Sequence, residues 1–121
     1  MIKEDLLKRT KDFCIRVFRL LRQLNLPREE LFLKSQLLRS STSIACNYRS
    51  ACRSQSRKGF IAKISIVIEE ADESIFWLEL IDELHPEIKL PEVKILSKEA
   101  VDLQKIFTSI RITMTRNAVK T

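Results

Sequence analysis

A chain of 121 residues with one glycine and three prolines has little means of turning often. An all-β fold needs turn residues about every 8–12 positions, so that class is excluded, and a glycine-rich phosphate loop is excluded with it. Aromatic residues are few, six Phe, one Tyr and one Trp, and no apolar run approaches the roughly 18–20 residues of a membrane span. The opening Met1-Ile2-Lys3-Glu4-Asp5 lacks the apolar stretch of a signal peptide, and the expected location is cytoplasmic. Cys14, Cys46 and Cys52 are odd in number and have no Cys-x-x-Cys spacing, which reads as reduced thiols serving as small apolar residues. The single histidine, His85, sits in a proline-flanked stretch with no nucleophile arrangement around it. Glu69, Glu70, Asp72 and Glu73 contain no His among them, whereas bundle metal sites use Glu-x-x-His pairs. No catalytic residue, metal ligand or cofactor is expected, and the chain reads as non-enzymatic.

What is present is helical periodicity. With 45% apolar and 31% charged residues, residues 1–121 fit one domain with one core. The first helix is expected over about residues 4–25, with Phe13, Val17, Leu20, Leu21 and Leu24 on one face, stopped by Pro27. The second runs over about 28–54 along Leu37, Ser41, Ile44, Tyr48 and Ala51 or Cys52. Ser56 is placed to cap a third, about 57–84, whose seam is Phe60, Ile64, Val67, Ala71, Ile75 and Leu78. The fourth, about 92–117, repeats Leu96, Ala100, Leu103, Phe107, Ile110 and Met114 in four-three steps. Short connections leave neighbours antiparallel, so the expected fold is all-α, an up-down-up-down four-helix bundle.

Charge is segregated along these helices. From Leu31 to Ile68 there are seven basic residues and no acid, and from Glu69 to Glu92 nine acids and one lysine, within a net charge of +6. Bundle topology gathers the start of the first helix, the turn between the second and third, and the end of the fourth at one pole. Twelve basic residues meet three acids there, Lys3, Lys8, Lys11 and Lys120 among them. Arg49, Arg53 and Arg57 form a four-residue ridge with no acid opposite, whereas Arg39 falls opposite Glu73 and is expected to pair with it. The candidate nucleic-acid-binding residues are Arg49, Arg53, Arg57, Lys58, Lys63, Arg9, Arg111 and Arg116. The bland reading of the same ridge is a solvated face, or one paired with a neighbouring subunit.

At about 100° per residue, Ile66, Trp77, Leu80 and Leu84 fall off the third helix's seam, interrupted by Glu70 and Glu73. These six residues are the candidate oligomer interface. The run Ser40-Ser41-Thr42-Ser43 suits close helix contact with hydroxyls bonded back to helix carbonyls, and Asn47 suits a buried polar residue that fixes register.

Four segments carry a resemblance: Gln36-Leu-Leu-Arg-Ser-Ser-Thr-Ser-Ile, Asn47-Tyr-Arg-Ser-Ala-Cys, Ser56-Arg-Lys-Gly-Phe-Ile-Ala-Lys and Glu70-Ala-Asp-Glu-Ser-Ile-Phe-Trp-Leu-Glu-Leu. They resemble the bacterial four-helix-bundle family that includes proteins encoded by intervening sequences within 23S rRNA genes, once annotated among ribosomal proteins. That family in turn resembles the accessory variability determinant of diversity-generating retroelements. The resemblance covers about residues 33–84 closely and the outer helices by pattern. It implies a ring-like homopentamer and, for the retroelement relative, a basic surface that binds nucleic acid and a reverse transcriptase. Ser50 stands where many relatives have Glu, which leaves the Arg49–Arg53 ridge more positive.

The expected function is a homo-oligomer that binds structured RNA or DNA through its basic pole, reading phosphate and shape. The alternative is an assembly adaptor for a protein partner such as a polymerase or reverse transcriptase, with nucleic acid incidental. No membrane partner is expected.

Overall fold

The computed structural model describes the backbone of residues 3–120 and the side chains of residues 3–117. Four helices fill it: α1 (Lys3–Gln23), α2 (Leu31–Cys52), α3 (Arg57–Leu84) and α4 (Pro91–Lys120), with a short 3-10 turn, Arg28–Glu30, leading into α2. Each packs on its sequence neighbours, and α1 closes the square against α4, while among the described residues the backbones of neither diagonal pair come close. Arg9 and Arg16 of α1 meet Glu99 and Glu92 of α4, which fixes the antiparallel sense of that pair, and Ser40 and Arg39 of α2 bond Ser74 and Glu73 of α3 across the contact that the short turn folds. This is the up-down-up-down bundle that short connections impose.

The helix ends show why the chain breaks where it does. Gln23 ends α1 two residues before the expected Asn25, because Leu24 and Leu26 leave the helix and drop into the core. Lys34 then donates its ammonium to the freed Leu24 carbonyl. Pro27 forbids helix at the residue before it and starts the 3-10 turn, so regular α2 begins at Leu31 rather than 28. At the opposite end Ser56 Oγ accepts the Gly59 backbone N–H at 3.0 Å, the cap expected for α3. A Cβ on Gly59 would sit 3.0 Å from that oxygen, so glycine here leaves the capping hydroxyl its place. Pro91 opens α4 at the first helical position, where its missing N–H has no partner to lose.

The core follows the expected seams. Phe13, Val17, Leu20, Leu37, Ile44, Ile64, Val67, Ala71, Leu78, Leu96, Ala100, Leu103 and Phe107 are fully or almost fully buried. The α4 seam fades toward its end, where Ile110 and Met114 are only half-buried. Tyr48 packs on Phe107 with ring centroids 5.1 Å apart, and burial first, then Cys52, pushes its phenol above the ordinary range.

Small polar residues set the α2–α3 spacing. Ser40 and Ser74 are fully buried and share a 2.7 Å hydrogen bond across the two helices, while Ser41 and Thr42 bond back to the Leu38 carbonyl. Larger side chains at 40 and 74 would hold the helices apart. Asn47 differs from its expected role: it is half-buried and donates to the Ser43 carbonyl and hydroxyl of its own helix, so it makes no bond that fixes the register between helices. Cys14, Cys46 and Cys52 are free thiols, Cys46 exposed and the other two half-buried.

At the C-terminal end of α3, His85 reaches two neighbouring segments. Its Nε2 meets Glu30 at 2.5 Å and its Nδ1 meets Glu87 at 3.0 Å, which ties the end of α3 to the start of α2. Glu30 first, then Glu87, raises the imidazole above its ordinary value of 6.5. A raised folded value gives stabilisation that is complete below the unfolded value and is lost as pH climbs through the folded one. Thermal stability is therefore expected to decline as pH rises above about 6.5, and His85→Gln should flatten that decline in melts from about pH 6 to about pH 9.

Candidate functional site

The antiparallel α2–α3 hairpin turns at Arg53–Ser56, and it is this turn that puts basic residues at one pole. Arg49 and Arg53 project from the last turns of α2, and Arg57 and Lys58 from the first turn of α3, all four exposed. Carrying the register of Ser40 with Ser74 toward the turn sets Arg49 level with Ser65, two residues from half-buried Lys63. Helix α4 adds exposed Arg116 and half-buried Arg111, whose guanidinium reaches Ser65 Oγ at 3.4 Å. Among the described residues, none of these seven has a carboxylate within ion-pair distance. Lys120 lies outside the residues whose side chains are described.

Arg9 departs from the expected set. It lies across the α1–α4 contact and donates through both Nε and Nη2 to the two Glu99 oxygens, at 2.8 and 2.7 Å. A forked arginine–carboxylate pair of this kind is already satisfied in charge and geometry, and it leaves no free guanidinium for phosphate. Glu99 holds Arg9 above its ordinary value in keeping with that. Lys8 is likewise engaged, with Asp12 one turn on at 2.6 Å.

What α1 contributes instead is a groove. Between α1 and α2, Leu7, Ala45, Cys46 and Cys52 make an apolar floor, and Lys3, Lys11, Arg49 and Arg53 line its edges around about 590 Å³. This groove at the basic pole thus has two cations from each of two helices and, among the described residues, no carboxylate on its wall. Lys3 and Lys11 belong to the pole by topology, but that they face Arg49 and Arg53 across an opening depends on the α1–α2 separation, which no spacing in the sequence encodes.

The stripe expected as an interface is redistributed by packing. Glu70 and Glu73 both bind the Arg39 guanidinium, Glu70 at 2.9 Å, and Arg39 first among its neighbours holds Glu73 below the usual carboxylate range. Trp77 and Leu80 pack against the protein's own core, with Trp77 set edge-on between Phe32 and Phe76 and its indole N–H directed to Glu73. Ile66 and Leu84 are the exposed members, and Phe32, 55% exposed, and Phe76, 54% exposed, join them although the helical projection passed them over. The missed signal was local: Phe76 follows Ile66, Glu69 and Glu73 at three-four spacing on the outer side of α3.

Burial first, then the neighbouring Cys46, raises the Cys14 thiol, which keeps it protonated and poorly reactive at neutral pH. Among the described residues no group of three or more His, Cys, Asp or Glu side chains is placed to hold a metal ion, and no helix is long and apolar enough to cross a membrane.

Comparison with known proteins places the fold. No curated protein matches the chain. A crystal structure at 1.70 Å of a protein of unknown function from the S23 ribosomal protein family of Bacteroides thetaiotaomicron VPI-5482 is similar to it, with a TM-score of 0.78 and 31% identity. The similarity covers 88% of this chain and 97% of that one. The model of the 23S rRNA-intervening sequence protein family matches residues 3–109, which takes in α1, α2, α3 and most of α4. On that match the chain belongs to the 23S rRNA-intervening sequence protein family.

Proposed function

We propose that this protein is a non-enzymatic, homo-oligomeric binder of structured RNA or DNA that holds phosphate at its basic pole. One observation carries the reading: Arg49, Arg53, Arg57 and Lys58 stand exposed together without a carboxylate partner, and Lys3 and Lys11 extend them across the α1–α2 groove. Cations that find no acid within the fold are available to polyphosphate, and releasing its condensed counterions drives such binding. Few aromatic side chains lie at this pole, so stacking on bases contributes little and recognition rests on backbone charge and shape. Lack of base readout makes a clear expectation. In a fluorescence anisotropy assay at low salt, RNA hairpins and DNA duplexes of unrelated sequence should bind with affinities within about tenfold of one another. A protein that ignores every polyanion offered would end this reading.

Self-association is the second half of the proposal. Phe32, Phe76, Ile66 and Leu84 expose large apolar side chains on the α2–α3 side, and burying such a surface favours association. A ring of five is what the family resemblance implies. The adaptor reading draws on the same apolar residues, but it has no need of an acid-free arginine ridge, and it ranks second for that reason.

A further inference from the structure

The outer faces of α1 and α3 are complementary, and they lie on opposite sides of the bundle. The two helices are diagonal, their backbones held apart, and each turns one exposed face outward. On α1 that face is Lys8, Lys11, Ile15, Phe18 and Arg22, spaced three, four, three and four apart, with Arg19 beside it. On α3 it is Glu69, Asp72, Phe76, Glu79 and Glu83 at similar spacing. All of these side chains are exposed, Ile15 at 38%, Phe18 at 39% and Phe76 at 54%.

Their order along the helices matches. Each stripe covers fourteen residue steps, about 21 Å of helix, with its apolar residues at the middle and charged residues on both flanks, Lys8 on α1 being already paired with Asp12. The flanks are basic on α1 and acidic on α3. From Phe13 to Arg28 there is no acid, and from Ile64 to Ile88 there is no Lys or Arg. Within the chain, Lys11, Arg19 and Arg22 have no ion-pair partner among the described residues, and neither do Glu69, Glu79 and Glu83. Spacing of three and four is also what lets two helices interlock side by side.

The geometry points to a head-to-tail contact in which the outer face of α1 on one copy seats on the outer face of α3 on the next. Phe76 would lie against Ile15 and Phe18, flanked by Arg19 and Arg22 opposite Glu79 and Glu83. Such a contact uses two different faces of each copy, so it propagates until the turn between copies closes a ring. A self-complementary contact through α3 alone would instead oppose acid with acid. This inference rests on the proposed self-association and is independent of nucleic-acid binding.

Charge reversal tests it on the full-length protein, freed of nucleic acid, by light scattering. Arg19→Glu with Arg22→Glu on α1 should lower the mass of the assembly toward one chain, and so should Glu79→Arg with Glu83→Arg on α3. All four changes in one chain restore opposite charges and should restore the mass, which also shows that the separate variants did not merely misfold. An equimolar mixture of the two double variants should associate although neither does alone. A wild-type mass of one 14.2 kDa chain would overturn self-association itself. A stable wild-type oligomer that is indifferent to the α1 reversals, including a dimer sensitive only to those on α3, would overturn the head-to-tail contact and leave self-association standing.

Discussion

Replacing Arg49, Arg53 and Arg57 together by glutamate is expected to weaken RNA and DNA binding by about two to three orders of magnitude at moderate salt. Each change removes a phosphate contact and sets a repelling carboxylate in its place. Loss of three contacts should also reduce the slope of log affinity against log salt by about 2.7 for duplex DNA. The loss should be uniform across unrelated sequences, since these side chains address phosphate and no base edge. All three positions are exposed and outside the core, so the helical circular dichroism spectrum should be unchanged. Arg9→Glu makes an informative contrast. Its guanidinium is spent on Glu99, and the change should damage the α1–α4 contact and thermal stability more than it damages binding.

Phe107→Ala is expected to destabilise the fold by about 3–5 kcal/mol. Phe107 is fully buried in the middle of the α4 seam and packs its ring on Tyr48 of α2, so removal opens a cavity between diagonal helices that the bundle cannot close by moving one side chain. A domain of this size has only about 5–15 kcal/mol to lose. Urea unfolding followed by circular dichroism should show a midpoint shifted far to low denaturant, with little change in slope. A shift of under about 1 kcal/mol would mean that the core lies elsewhere.

The third helix was legible to the residue, and the reason is local. Ser56 caps it, Leu84 ends it before His85 and Pro86, and both signals lie in the sequence next to the boundary they set. The Arg39–Glu73 pair was legible as well, because a short turn fixes the α2–α3 register and a count from Ser56 reaches it. Arg9–Glu99 and Arg16–Glu92 were not. They cross between the first and last helices, whose register depends on the lengths of every helix and loop between them.

The basic pole followed from topology alone, but its composition did not. Topology brought Arg9 to the pole and could not show that it faces Glu99. The same limit applies to Trp77. A projection at fixed angle places its Cα off the seam, yet the long indole lies across to Phe32 and covers ground the projection leaves to solvent. Phe76, with its Cα pointing outward, took the exposed position instead.

Salt titration of the wild-type protein on a single labelled duplex tests the central claim most directly. If roughly six arginine and lysine side chains at the pole hold phosphate, affinity should fall by about three orders of magnitude between about 50 and 200 mM salt, along a straight line of log affinity against log salt. Affinity that stays flat over that range, or no binding even at the lowest salt, would contradict the assignment of the basic pole to nucleic acid.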